Sequence, residues 1–164
     1  MSVRSAGLLL YRRGAQSQPE FWIAHMGGPF WARKDAAAWS IPKGEYTADE
    51  DALAAARREF TEEMGTAPPD AGYFPLGSFR QASGKVVTVF AAEADFRPER
   101  VVSNTFELEW PKGSGVVRSY PEIDDAAWCG EAEARRKLVR GQLPVLDALL
   151  AHLRDVGWAA PSQM

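Results

Sequence analysis

Residues 50–65 read EDALAAARREFTEEMG, a run of strong helix formers with no glycine or proline before its last position. Leu53, Ala56, Phe60 and Met64 recur at helical spacing, so one stripe of this helix must bury against another layer. Thr47 followed by Glu50 has the pattern of a capping box, and Gly65 suits a left-handed C-cap. The spacing therefore predicts a helix over residues 48–64. Its other side is unusual. Glu59, Glu62 and Glu63 stand at i, i+3 and i+4, which places three carboxylates within an arc of about 100°. Like charges so placed repel by roughly 0.2–0.5 kcal/mol per pair. Either solvent screens them, as on an ordinary charged face, or a cation belongs there. Arg58, four residues before Glu62, can pair with it, while Ala52 and Ala55 flank the acidic side with small side chains.

Around this helix the chain alternates. Residues 6–11 (AGLLLY) and 21–26 (FWIAHM) read as short strands separated by a turn-rich segment. Residues 27–38 (GGPFWARKDAAA) form a long loop carrying Phe30, Trp31, Arg33 and Lys34. A brief extended segment is expected at 39–42, since a residue before proline avoids the helical region. Strands follow at 73–81 and 85–92, an irregular polar stretch at 95–119, a short strand at 126–129, and helices at 131–138 and from Pro144 to about residue 153. Strands with one inserted helix and two terminal ones predict a mixed α/β layered fold in a single domain over residues 1–164.

Composition narrows the function. A net charge of −3 on 164 residues gives no concentrated basic face, so duplex nucleic acid is not an expected partner. Nothing approaches the roughly 20 apolar residues of a membrane span. The apolar run near the start is too short for a signal segment and lacks a cleavage-like site. A single cysteine, Cys129, permits no internal disulfide and points to a reducing cytoplasm. The expectation is a cytoplasmic protein without a membrane partner.

The residues before the helix shift the balance toward a cation. Trp39-Ser40-Ile41-Pro42-Lys43-Gly44 ends in a glycine that lets backbone approach a ligand closely, with Lys43 beside it. Hard divalent ions such as Mg2+ take carboxylates, waters and substrate phosphates. The two histidines, His25 and His152, are far apart in sequence, so no zinc cluster competes.

Gly44-x5-Glu50-x7-Arg58-Glu59-Phe60-x-Glu62-Glu63-x-Gly65-Thr66 resembles the Nudix box, departing only at Thr66, where the family carries a bulky apolar residue. The box spans residues 44–66, a minor part of the chain. The resemblance implies a Nudix-type α/β/α sandwich with a mixed sheet, and a metal-dependent hydrolase of a nucleoside diphosphate linked to another group. By position, Gly44, Glu59, Glu62 and Glu63 resemble the metal ligands, for Mg2+ or Mn2+. Arg58 resembles the residue that orients the glutamates, and Glu50 a structural one. Metal chemistry of this kind activates a water for in-line attack while a carboxylate takes its proton. A further acid often precedes a strand containing tryptophan. Here Glu122 fits, with Glu107 and Glu109 as rivals.

The site's surroundings, not the fold, choose the substrate. The WSIPKGE lead-in resembles that of diadenosine polyphosphate hydrolases and of diphosphoinositol polyphosphate enzymes. The tyrosine those dinucleotide hydrolases carry after the box is replaced here by Gln81-Ala82-Ser83-Gly84, and the proline expected in ADP-ribose pyrophosphatases is missing. Phe30, Trp31, Trp39 and Trp110 can stack a base or anchor the fold, and Lys43, Arg33 and Lys34 can hold phosphates. The leading expectation is a pyrophosphohydrolase of a dinucleoside polyphosphate or (d)NTP. Nucleotide sugars, inositol pyrophosphates and a non-catalytic nucleotide-binding module stay open.

Overall fold

Strand β1 (Arg4–Arg13) shows why the sandwich forms. Its apolar run does not alternate with polar residues because both faces are covered. Ala6, Leu8 and Leu10 pack beneath helix α1 (Ala52–Met64), while Leu9 and Tyr11 pack toward helix α3 (Leu143–Asp155). The computed structural model describes residues 4–158. The two ends of the domain expected over 1–164, residues 1–3 and 159–164, lie outside the described residues.

β1 runs parallel to β6 (Val86–Glu93) and antiparallel to β2 (Pro19–Met26) and β4 (Lys43–Glu45). β3 (Trp39–Ser40) and β9 (Ile123–Gly130) add to β2, and β5 (Phe74–Arg80) adds to β6, completing a mixed seven-stranded sheet. The last strand is thus longer than residues 126–129. α2 (Glu131–Lys137) and α3 cover the face opposite α1. On α3, Val145, Leu146, Leu149, Leu150 and Leu153 are buried in the helical rhythm.

Two expectations are corrected. The capping box does not form. α1 begins at Ala52, where the Asp51 carboxylate accepts from the Ala54 amide at 3.0 Å. Thr47 and Glu50 close a turn instead, and the Glu50 carboxylate is engaged by Arg58. The C-cap is as expected: Gly65 is left-handed (φ 76°), and a Cβ there would meet the Val102 carbonyl at 2.5 Å. The second correction concerns residues 95–119, expected to be irregular. They contain β7 (Thr105–Glu109) and the start of β8 (Val117–Pro121), paired as a separate hairpin. Its alternation is masked because even its inward residues are only half-buried.

Candidate active site

Helix α1 buries Ala55, Ala56, Phe60 and Met64, with Leu53 partly buried beside them. Ala55, expected on the acidic side, is thus part of the core. The acidic face borders that stripe and is not freely solvated: the Glu59 side chain is only 14% exposed. β4 brings Gly44 against it. A Cβ on Gly44 would lie 1.8 Å from Glu59 Oε1, so only glycine leaves room for this carboxylate. The Lys43 amide donates to Glu63 Oε1 at 3.3 Å. The lead-in is itself held, since Gln142 accepts from the Ile41 amide and donates to Ser40 Oγ, both at 2.9 Å.

Arg58 organises the carboxylates. It grips Glu50 with two bonds, Nε to Oε2 at 2.8 Å and Nη2 to Oε1 at 2.9 Å. Its Nη1 reaches both Glu59 Oε2 (2.7 Å) and Glu62 Oε2 (3.2 Å), and Nη2 reaches the Glu45 carbonyl. One fork therefore offsets the repulsion inherent in the glutamate spacing.

Protonation is perturbed where the groups are buried. Burial pushes Glu63 up to about 8, against the pull of the Lys43 ammonium and amide, with Glu59 and Glu122 adding to the rise. Burial also raises Glu59; Arg58 opposes this, while Glu62 and Glu122 add to it. Lys43 moves down, chiefly by burial and then by Lys85, although Glu63, Glu45 and Glu59 pull it back. Burial outweighs the mutual attraction of Lys43 and Glu63, so the carboxyl moves up and the ammonium down.

The donors at 59, 62, 63 and the Gly44 carbonyl are all oxygen, the set that suits a hard divalent cation. Among the described residues, no three or more His, Cys, Asp or Glu groups converge as placed to hold an ion. Arg58 Nη1 draws Glu59 and Glu62 to itself, so loading the site requires one of them to turn away from the guanidinium. The chemistry of the set and the Gly44 cradle fit a divalent cation on that condition.

Glu122 is positioned by the backbone. Its amide donates to the Asn104 carbonyl (2.9 Å), the Asn104 amide donates to the Glu62 carbonyl (3.0 Å), and its own carbonyl accepts from Gly27 (2.8 Å). A Cβ on Gly27 would collide with the Pro121 carbonyl at 2.0 Å, so this crossing also needs glycine. Glu122 is thereby tied to the last turn of α1, close enough to raise Glu59 and Glu63. Glu109 is occupied otherwise, accepting from the Gly113 and Gly115 amides at the hairpin tip (3.2 and 2.7 Å). Glu107 is exposed on the hairpin, opposite Ser119.

No hydrogen bond or ion pair among the described residues joins loop residues 27–38 to Glu59, Glu62 or Glu63, although Gly27 reaches the Glu122 carbonyl. Phe30 is 52% exposed and meets Trp31 edge-on at 4.8 Å. Lys34 Nζ lies 3.5 Å above the Phe30 ring. Trp31 packs partly against the core cluster that contains Trp39, Trp39 is itself buried, and Trp110 is exposed at the hairpin tip. Sequence reasoning passed over His25 and Asp124, which bond each other across the strands at 2.6 Å. The signal for His25 was a polar residue inside the apolar run FWIAHM.

The NUDIX domain family model matches residues 1–149. No curated protein matches the chain. Among solved structures, it is similar to a Caenorhabditis elegans Ap4A hydrolase, at 23% identity over 93% of this chain and 99% of that one, TM-score 0.61. The NUDIX domain of Shewanella oneidensis NrtR complexed with ADP ribose is similar at 15% identity over 93% and 89%, TM-score 0.61. A mutT/nudix family protein from Listeria innocua follows at 16% over 94% and 96%, TM-score 0.63. At these identities the structural likeness shows the fold. The family match, spanning most of a chain in which Arg58 gathers Glu50, Glu59 and Glu62 beside Gly44, shows that the protein belongs to the Nudix family of hydrolases, which act on phosphoric anhydride bonds.

Proposed function

We propose that the chain is a divalent-metal-dependent pyrophosphohydrolase acting on a dinucleoside polyphosphate or (d)NTP. The observation that carries this is the seating of the Glu59 carboxylate against Gly44, with Glu63 bonded to the Lys43 amide in the same place. Glu59, Glu62, Glu63 and the Gly44 carbonyl are the groups to hold Mg2+ or Mn2+. When bound, such an ion offsets charge on the bridging phosphate oxygens and acidifies an attacking water. Arg58 holds Glu59 and Glu62 in register, and its own anchor is Glu50. Lys43 stands beside the site to meet the phosphate chain. Glu122, exposed yet fixed by both its amide and its carbonyl, is the group we assign as acceptor of the water's proton.

The substrate class rests on the loop. Arg33 and Lys34, with Phe30 and Trp31, supply cations next to aromatic faces, which suits a phosphate chain longer than two units attached to a base. Ap4A, named for one neighbour, and ADP ribose, bound in another, are both nucleoside phosphates linked to a second group. A panel of diadenosine tetraphosphate, ATP and ADP-ribose, assayed for nucleotide products with Mg2+ or Mn2+, tests the reading. Faster turnover of ADP-ribose than of either polyphosphate overturns the substrate class, and full turnover in excess chelator overturns the metal dependence.

A further inference from the structure

His25 is 7% exposed on β2, and each of its ring nitrogens faces an oxygen. Nδ1 lies 2.6 Å from Asp124 Oδ1, and Nε2 lies 2.7 Å from the Lys34 carbonyl. A carbonyl and an ionised carboxylate only accept, so a ring that makes both bonds carries both protons. Burial opposes that charge, but the Lys34 carbonyl, Asp124 and Asp125 outweigh it and raise the imidazole above its ordinary value. The ring also meets Trp39 edge-on at 5.3 Å.

The two acceptors belong to different parts of the site. Lys34 lies in the cationic loop, whereas Asp124 is the second residue of β9, two residues beyond Glu122. Gly27, at the root of the same loop, holds the Glu122 carbonyl. His25 and Gly27 thus fasten the loop to one short segment at two points. A cavity of about 480 Å3 opens over the bridge, lined by His25, Arg33, Lys34, Trp39 and Asp125 among others. The other charges nearby are largely paired. Asp35 takes Arg136 at 2.8 Å and Lys137 at 3.9 Å, so the cations of α2 are offset before they reach the imidazole. Arg33 has no ion-pair partner among the described residues, which leaves it available to a ligand.

We infer that His25 is a positioning residue for substrate recognition: as a two-proton bridge it fixes the 27–38 loop against the Glu122 segment and so sets where Arg33 and Lys34 meet the distal phosphates. This rests on the polyphosphate reading of the loop. The bridge uses the Lys34 backbone, not its ammonium. Replacing the Lys34 side chain therefore leaves the bridge intact, whereas replacing His25 removes this tie at Lys34 with the loop's cations still present.

The experiment compares the full-length wild type, His25→Asn, His25→Gln, the Arg33→Ala/Lys34→Ala pair and their combination on diadenosine tetraphosphate. Neither amide side chain reproduces two opposed ring donors. The expected result is a KM raised by about tenfold with kcat within about twofold. The His25 change should add little once the loop cations are gone. In the wild type, KM should rise with pH as the imidazolium loses its proton, and the rise should vanish in His25→Asn. The nitrogen resonances of His25 in the wild type provide a reading that needs no variant: both should be protonated at neutral pH. A neutral ring there, a loss confined to kcat, or full additivity with the loop pair overturns the inference. Wild-type preference for ADP-ribose sinks the polyphosphate reading alone, and the same KM, additivity and resonance measurements on that substrate then decide the role of His25.

Discussion

Arg58 holds Glu50 through two parallel bonds of 2.8 and 2.9 Å, and only its remaining nitrogen is left to bridge Glu59 and Glu62. The pair converts an acidic helix face into an oriented one. Glu50→Gln keeps the shape but weakens the grip, and its cost in stability should be small, because both side chains are partly solvated. Arg58→Lys cannot reproduce a planar two-pronged donor. Its expected effect is a drop in kcat of at least about tenfold with little change in thermal midpoint. Thermal unfolding alongside steady-state kinetics separates the two. A large loss of stability with intact kcat would show that Arg58 serves the fold alone.

Gly44→Ala tests the cradle. The added methyl would fall 1.8 Å from Glu59 Oε1 and 2.0 Å from its carboxyl carbon, so the side chain must swing away. A flexible side chain can do this without unfolding the protein. Turnover should fall by about a hundredfold, and more Mg2+ should be needed for half-maximal rate. An unchanged metal requirement argues against a ligand role for this edge.

The acidic residues should divide by role. Glu59→Gln and Glu63→Gln keep volume and remove charge, and each should lower kcat by roughly two to four orders of magnitude while the fold survives. Glu122→Gln should lower kcat similarly without changing the metal requirement, whereas Glu107→Gln should stay near wild type. Near-wild-type rates for Glu59→Gln and Glu63→Gln with added metal would return this face to a merely solvated one.

The His25 bridge has a signature in stability. Its imidazole is raised in the fold, so the charged form is favoured by folding. The contribution is therefore whole below the unfolded histidine's value of about 6.5 and fades as pH rises through the higher folded value. Thermal midpoints of wild type and His25→Asn should differ most at the acid end of a scan from about pH 5.5 to 9 and converge at the alkaline end, with an initial gap of about 1–2 kcal/mol. A gap that widens toward alkaline pH would contradict the sign.

What was legible in the chain was what repeats locally. The helix stripe at Phe60 and Met64 follows from periodicity, the Gly65 cap from glycine's tolerance of the left-handed region, and the strand at 6–11 from an unbroken apolar run. The start of α1 did not, because Thr47 and Glu50 satisfy a capping pattern while Glu50 is claimed by Arg58, a competition that spacing does not reveal. The hairpin was hidden because Phe106 and Leu108 are only half-buried, Phe106 lying against Gly28 and Tyr120. The preference for Glu122 over Glu107 and Glu109 depends on backbone bonds from Gly27 and Asn104, and the His25–Asp124 contact spans 99 positions. Such long-range crossings leave no periodic trace.

The cations on the two sides of the site set how far a phosphate chain can be followed. Lys43 is beside the glutamates, whereas Arg33 and Lys34 are set apart on the loop, Lys34 resting on Phe30. A long polyphosphate carries more charge than the metal site alone offsets, and cations act where it remains. Lys43→Ala should raise the barrier for every substrate, since the bond under attack is always nearby. The Arg33→Ala/Lys34→Ala pair should instead cost most on diadenosine tetraphosphate, less on ATP and least on ADP-ribose, with about a tenfold spread in kcat/KM between the extremes. Phe30→Ala should follow the loop pair, because it removes the ring beneath Lys34 and the face offered to a base. Measuring kcat/KM for the three substrates across these variants decides it. Equal losses on all three in the loop pair would show that Arg33 and Lys34 do not read chain length.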